Sequence, residues 1–163
     1  MLRFTIIFLG VQIALALVWQ QPQVYNAINL PLTQMVAISA YWLMHWFDAD
    51  VARSGVIIYS AVAQKAVEIK NGCNGLEGAM VVFAAVVAYP STWIQKIYGT
   101  LIGVLVVQIL NLVRVISLYY LNIHNPVLFE WTHNYVWQML IIIDAFVFFL
   151  IWTRWISSRL PKR

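Results

Sequence analysis

Charged side chains are scarce in this chain. Only 10% of the 163 residues are charged, whereas 63% are hydrophobic and the mean hydropathy is +0.79. A soluble domain carries roughly 25% charged residues, so a soluble globular fold is excluded in favour of an integral membrane protein. The net charge of +4 does not indicate a nucleic-acid partner, because the basic residues are scattered or gathered at the C-terminus. The expected environment is the lipid bilayer.

Cysteine and histidine are equally rare. With Cys73 as the single cysteine, no disulfide can form within the chain, and the three histidines lie at no spacing typical of a metal site. The phosphate-binding glycine-rich loop and the nucleophilic serine elbow are also missing from the sequence. We therefore expect no metal and no other cofactor.

Long apolar runs are abundant instead. A transmembrane helix needs about 20 predominantly apolar residues. The first run resembles a signal peptide, with Arg3 before it and a small-x-small site at 14–16, but it continues past that site and is expected to stay as a membrane helix. We predict an all-α integral membrane protein, a multi-pass bundle of about four to five membrane helices. The apolar segments are residues 4–19, 32–47, 76–90, about 98–121 and about 135–156.

Polar stretches separate these segments. Residues 20–31 and 122–134 are predicted to be connections, and residues 48–71 hold too many charges to cross a bilayer. Within them, residues 56–59 are rich in β-branched side chains, and residues 67–70 alternate apolar and charged side chains. These two stretches predict a small extracytoplasmic β-hairpin over residues 50–71. The domain prediction is a single membrane domain, 1–163, with a three-span catalytic core over 76–156.

The basic residues predict the topology. Cytoplasmic loops are enriched in Lys and Arg, so we place the basic groups of the chain on the cytoplasmic side. Residues 32–47 then have no crossing to make and form an interfacial helix on the outer face. The alternative, in which they span and the N-terminus lies outside, stays open. The basic groups are Arg3, Lys96, and the cluster of Arg154, Arg159, Lys162 and Arg163.

Three polar residues that are distant in sequence converge in this topology. Cys73 lies at the outer start of the third segment, and His133 lies just before the last segment enters from the same side. Arg114 lies roughly 24 Å along the fourth segment from its inner end at Tyr98, close to the far side of a core about 30 Å thick. An arginine within a span is costly and therefore functional or paired.

The convergence indicates nucleophilic chemistry. A helix N-terminus and a nearby cation both favour the reactive thiolate of a cysteine. A histidine within reach can act as general base and then general acid. Backbone N–H groups around Asn74 and Gly75 could stabilise an oxyanion with help from Arg114. The glycines near Cys73 are interpreted as room for a substrate backbone.

The acidic neighbours allow more than one interpretation. Glu77 could orient His133, pair with Arg114, or complement the helix dipole as a first-turn acid. Asp144 is interpreted as a structural partner. If Arg114 only pairs with one of these acids, the chain is a non-enzymatic membrane scaffold or assembly subunit, and this rival class stays open.

Three motifs contain the converging residues. They are Asn-Gly-Cys-Asn-Gly-Leu-Glu at 71–77, Asn-Leu-Val-Arg-Val-Ile-Ser at 111–117, which begins at Asn111, and Glu-Trp-Thr-His at 130–133 followed by Trp137-Gln138. Together they resemble the exosortase/archaeosortase family. The surrounding sequence is similar to the exosortase H type from about residue 67 to residue 152, with a weaker fit before that. The chain is shorter than larger family members, and the extra N-terminal spans and the C-terminal soluble domain that those have are not in it.

The resemblance implies a multi-pass cysteine protease or transpeptidase of the bacterial inner membrane. Such enzymes act on exported proteins that end in a recognition motif, a membrane helix and a basic tail, and the H type implies IPTL-type signals. By position, Cys73 would be the nucleophile, Arg114 the transition-state stabiliser and His133 the base. The active site would lie on the periplasmic side.

Overall fold

The computed structural model describes residues 2–70 and 72–158. Asn71, the first residue of the cysteine motif, and the basic residues Arg159, Lys162 and Arg163 lie outside the described residues. In chain order the elements are α1 (Leu2–Trp19), α2 (Pro22–Val24), a π-helical segment (Tyr25–Asn29), α3 (Leu30–His45), β1 (Val51–Ser54), β2 (Ile57–Ser60), β3 (Lys65–Glu68), α4 (Leu76–Ala88), α5 (Trp93–His124), α6 (Pro126–Trp131), a second π-helical segment (Thr132–Val136) and α7 (Trp137–Ser157).

The protein is a helical membrane protein with a small sheet, as predicted. In the described part of the chain, three helical runs are long and apolar enough to cross a bilayer, namely Leu2–Trp19, Trp93–His124 and Pro126–Ser157. The apolar helix α4 has 13 residues and is shorter than these. Helix α3 continues from α2 and the π-helical segment without a break, and this run is not among the three that are both long and apolar enough.

Two predicted polar connections are helical, so these predictions were wrong. Residues 22–29 form α2 and a π-helical segment where a loop was expected. Residues 126–136 continue into α7, after a break at Asn125 whose side-chain oxygen accepts from the Leu128 N–H at 3.1 Å. Proline occupies the first turn of each run, where its missing N–H costs no hydrogen bond. Proline therefore marked helix starts here rather than loops.

The predicted hairpin is part of a three-stranded antiparallel sheet in the order β1-β2-β3. Strand β1 was missed because charged residues surround and interrupt it. Gly55, at φ +60°, makes the tight turn from β1 to β2. The sheet packs on α3 and α5, and Val51, Ile58 and Ile69 are buried there among apolar residues of both helices. Asn122 at the end of α5 also donates to the Ala66 carbonyl at 3.1 Å.

Helix α5 is the central element of the bundle. Its start is fixed by a capping box, in which the Gln95 N–H donates to the Thr92 hydroxyl at 3.4 Å and the Thr92 N–H to the Gln95 side chain at 2.9 Å. Gly99 and Gly103 let other helices approach closely, because an added Cβ on Gly103 would overlap Val82 and Phe148. The far half of α5 packs on α3 through Val115 and Tyr119.

Two of the basic residues that the charge pattern placed on one side lie at the same end of the bundle. Arg3 and Lys96 line a single cavity of about 680 Å³ together with Thr153 near the end of α7. Tyr89, which directly follows α4, also lines this cavity. Cys73 lies just before the other end of α4, so the basic end and the cysteine lie at opposite ends of this helix.

Candidate active site

A tight turn between β3 and α4 presents Cys73. The Cys73 N–H donates to the Lys70 carbonyl at 2.9 Å. Gly72 and Gly75 have φ of +82° and +76°, a conformation that side chains rarely adopt. Gly75 is the N-cap of α4, so the thiol lies just before the helix start, as predicted.

The Asn74 side chain anchors this turn. Asn74 is 1% exposed, and its amide donates to the Thr33 hydroxyl at 3.0 Å and to the Asn29 side-chain oxygen. Its own side-chain oxygen accepts from the Leu76 N–H at 3.2 Å. The side chain of Asn74 therefore binds the turn to the start of α3. The backbone N–H groups of Asn74 and Gly75, the predicted oxyanion donors, have no backbone acceptor among the described residues.

Arg114 on α5 contacts the thiol directly. Its Nη2 donates to Cys73 Sγ at 3.8 Å, although the residue is only 3% exposed. Its Nε and Nη1 are buried without a hydrogen-bond partner in the described part of the chain. A guanidinium stays protonated at any physiological pH. It therefore places a positive charge beside Cys73 Sγ and keeps donors for a negative group.

His133 faces the same space from the second π-helical segment. It stacks on Phe129 with ring centroids 5.7 Å apart and planes 10° apart. Its Nδ1 is buried without a partner among the described residues. Cys73, Arg114 and His133 all line one cavity of about 450 Å³. The three residues predicted to converge are thus brought together, and π-helical segments frequently occur at functional sites.

A second, much smaller cavity also borders Arg114. It measures about 20 Å³, enough for one water molecule, and Gly75, Asn111, Trp137 and Asp144 also line it. Both polar side-chain atoms of Asn111 and the Trp137 Nε1 are buried without a partner within residues 2–70 and 72–158. Arg114 therefore lines both cavities.

The predicted roles of Glu77 and the glycines need correction. Glu77 is exposed in the first turn of α4 and lines a different cavity, of about 420 Å³, which neither His133 nor Arg114 lines. Of its three interpretations, the first-turn acid fits this position. An added Cβ on Gly75 would lie 3.1 Å from Asn111 Cβ, and one on Gly78 would lie 3.1 Å from Val107. These two glycines allow α5 to approach and leave no room for a substrate.

The scaffold interpretation required an ion pair of Arg114. In the described chain neither Glu77 nor Asp144 lies within 4 Å of the guanidinium nitrogens, and the ion pair found there joins Lys70 to Glu68 at 3.7 Å. No group of three or more His, Cys, Asp or Glu residues that could hold a metal occurs in residues 2–70 and 72–158. The contact of Arg114 is with sulfur.

Several residues of the open cavity were missed from the sequence. Strand β3 and the following two residues form one wall, and Asn122 and Phe129 form others. A signal did exist for two of them. Asn122 follows Arg114 by about two helical turns, and Phe129 precedes His133 by about one, so each pair shares a helix face. The strand wall had no such signal, since it depends on how the sheet docks.

Comparison with known proteins agrees with the motifs. A family model of transmembrane exosortases (Exosortase_EpsH) matches residues 1–153. Neither the curated proteins nor the solved structures contain a match to the chain. Membership of this family supports a general role in membrane transpeptidation. Since the match covers nearly the whole chain, the protein belongs to the transmembrane exosortase family.

Proposed function

We propose that the protein is a membrane-embedded cysteine transpeptidase or protease that cleaves C-terminal sorting signals of exported proteins. The reaction takes place at the outer, periplasmic face of the inner membrane. One observation carries the proposal: the Arg114 guanidinium contacts Cys73 Sγ at 3.8 Å in a cavity that His133 also lines. The three residue types are those that acyl transfer through a thioester needs.

In the first step the Cys73 sulfur attacks a backbone carbonyl of the substrate. The thiol proton moves to His133, and a carbon–sulfur bond forms as the carbonyl oxygen becomes negative. The Arg114 donors without a described partner are suited to bind that oxyanion. The carbon–nitrogen bond then breaks, and the proton on His133 passes to the leaving nitrogen.

In the second step the thioester is resolved by water or by an amine. His133 takes a proton from this acceptor as it attacks the carbonyl carbon, and the carbon–sulfur bond breaks. The proton on His133 then passes to the Cys73 sulfur, which restores the starting thiol. Water yields a cleaved protein, whereas an amine yields a new amide bond.

The sorting signal fits the position of the cavity. A substrate with a membrane helix and a basic tail is held at one depth in the bilayer, and this fixed depth supplies proximity to the thiol. An IPTL-type motif ahead of that helix is the proposed recognition element. The cavity lies at the end of α4 opposite Arg3 and Lys96, which fits a basic tail on the cytoplasmic side.

The test is a reporter that carries an exported domain, an IPTL motif, a membrane helix and a basic tail. Cells that express the wild-type protein should remove the tail, and cells with Cys73→Ala should retain it, as read from gel mobility. Comparable amounts of both proteins in the membrane exclude a folding defect. Normal processing by Cys73→Ala would end the proposal.

Histidine variants sharpen the test. His133→Ala should slow processing at least about a hundredfold, the usual contribution of a positioned acid–base group. His45→Ala is the matched control, since His45 is exposed, stacks on Tyr41 and does not line the cavity. Equal effects of the two substitutions would contradict a role for His133 in catalysis.

A further inference from the structure

We propose that β3 receives an extended segment of the substrate as a fourth strand of the sheet, next to Cys73. This inference rests on the proposed function and names how the substrate backbone is held. Strand addition at an exposed sheet edge is a general way to bind an extended peptide, because main-chain hydrogen bonds supply affinity for varied side chains.

The register of the sheet shows which backbone groups of β3 are available. Strand β3 is an edge strand, since β2 is its sheet neighbour. The Ile69 N–H donates to the Val56 carbonyl at 3.1 Å, so Ile69 directs its backbone groups toward β2. In an antiparallel ladder this direction alternates from residue to residue. Ala66 and Glu68 therefore direct their N–H and C=O groups away from β2.

An independent contact confirms this direction. Asn122 of α5 donates to the Ala66 carbonyl at 3.1 Å from the side opposite β2. Asn122, Ala66 and Glu68 all line the cavity that contains Cys73. The outward backbone groups of β3 thus lie along the wall of the candidate active site. The Asn122 amide occupies one position on this edge, and Glu68 supplies the next pair of groups.

The exposed edge of β3 ends close to Cys73 in the chain. Strand β3 ends at Glu68, and the turn that closes with the Cys73 N–H on the Lys70 carbonyl follows within a few residues. A strand advances about 3.3 Å per residue. A peptide paired with Glu68 would therefore bring a carbonyl to Cys73 within about two or three residues. Arg114 and His133 line the space that this carbonyl would enter.

The backbone donor of Glu68 can be removed without breaking the sheet. Proline lacks the N–H and is tolerated at an edge position whose N–H faces away from the ladder. Glu68→Pro should process the reporter at least about fivefold more slowly than Glu68→Ala, which removes the side chain alone. Loss of a single hydrogen bond predicts an effect of this size.

Arg53→Pro is the matched control. Arg53 is on β1, the other edge strand of the sheet, and pairs with Ile58 of β2. The backbone N–H and C=O groups of Ile58 point toward β3, so they do not bond to Arg53. The Arg53 N–H therefore also points away from β2. Arg53 does not line the cavity. Its proline variant should process the reporter within about twofold of wild type. Equal processing by Glu68→Pro and Glu68→Ala, with both proteins folded, would overturn strand addition.

Cross-linking tests the same contact without proline. In a Cys73→Ala protein that also carries Glu68→Cys, a single cysteine is moved through six consecutive reporter positions ahead of the membrane helix. A disulfide needs Cβ atoms within about 4.5 Å of each other, so it should form at the reporter position that pairs with residue 68 and not at the positions next to it. Equal cross-linking at all six positions, or none at any, would overturn the inference.

The two proposals fail in different ways. If Cys73→Ala still processes the reporter, the proposed function itself is wrong. If Cys73→Ala blocks processing but the Glu68 experiments show neither the proline effect nor a position-specific cross-link, then strand addition alone is wrong.

Discussion

The Arg114 guanidinium contacts a sulfur atom rather than a carboxylate. This partner supports the proposed catalytic role of Arg114 over a purely structural one, because a buried structural charge is expected to be paired with an opposite charge. The Nη2 donor lies 3.8 Å from Cys73 Sγ, and Nε and Nη1 have no hydrogen-bond partner in the described part of the chain. The cost of burying this group is understandable if a negative transition state binds to it.

Arg114→Lys should keep the fold and lose activity. Lysine keeps the charge but not the planar set of donors. Removal of an oxyanion donor typically slows a reaction about a hundredfold or more, so processing of the reporter should fall by at least that factor. Arg154→Lys, at an exposed position on α7, is the control and should process normally. If the Arg114→Lys protein is missing from the membrane, a structural role for the arginine is favoured instead.

The substitution Asn111→Leu should maintain or raise thermal stability and lower activity. Both of its polar side-chain atoms are buried without a described partner, and an unsatisfied buried group costs about 1–3 kcal/mol. Asn111→Leu has similar size and removes these atoms, so the thermal midpoint in detergent should stay level or rise. Processing should fall, because Asn111 lines the small cavity that Arg114 also borders. A lower midpoint would show that Asn111 is satisfied in the membrane.

At the level of helices and strands, sequence patterns were reliable where one physical signal dominated. The apolar runs of α1, α5 and α7 are long, and bilayer thickness leaves few alternatives for them. The π-helical segments and α2 were missed because polar side chains on an exposed helix resemble those of a loop. Strand β1 was missed because Asp50 and Arg53 obscure its short alternation.

The candidate site was predicted from the depth of its residues in the bilayer rather than from a local sequence pattern. Counting residues along α5 placed Arg114 level with Cys73, and the contact between them agrees. The wall formed by β3 could not be inferred in this way. Its position depends on packing of the sheet against α3 and α5 through residues such as Ile58 and Ile69. Sequence spacing alone carries no information on that docking.

Gly75→Ala should disturb the cysteine turn more than Gly55→Ala disturbs the sheet. Both glycines have positive φ, so alanine strains the backbone at each by a similar amount. Only Gly75 has close neighbours, with Gln108 Nε2 at 3.0 Å and Asn111 Cβ at 3.1 Å from an added Cβ. Gly75→Ala should therefore lower the unfolding free energy by about 1–3 kcal/mol more than Gly55→Ala does, by analogy with overpacked cores. This difference measures the effect of the close contact with α5. Equal losses would mean that the turn can move away.

For the molecule as a whole, the proposed orientation separates the thiol from the basic end. A small, charged, membrane-impermeant methanethiosulfonate should label Cys73 in intact spheroplasts. The control is Ser158→Cys in a Cys73→Ala protein, at the exposed end of α7, which should be labelled only after the membrane is permeabilised. Labelling of Ser158→Cys without permeabilisation, with or without labelling of Cys73, would contradict the proposed orientation.

The length of α5 makes the reaction sensitive to the lipid itself. With 32 residues the helix is about 48 Å long, and Arg114 lies roughly 32 Å along it from Trp93. Because a hydrocarbon core is about 30 Å thick, the cavity opens close to where the acyl chains end. Longer acyl chains would submerge the thiol and exclude the acceptor, and shorter ones would pull the substrate helix away from it. Hydrophobic mismatch should therefore give processing an optimum in acyl-chain length.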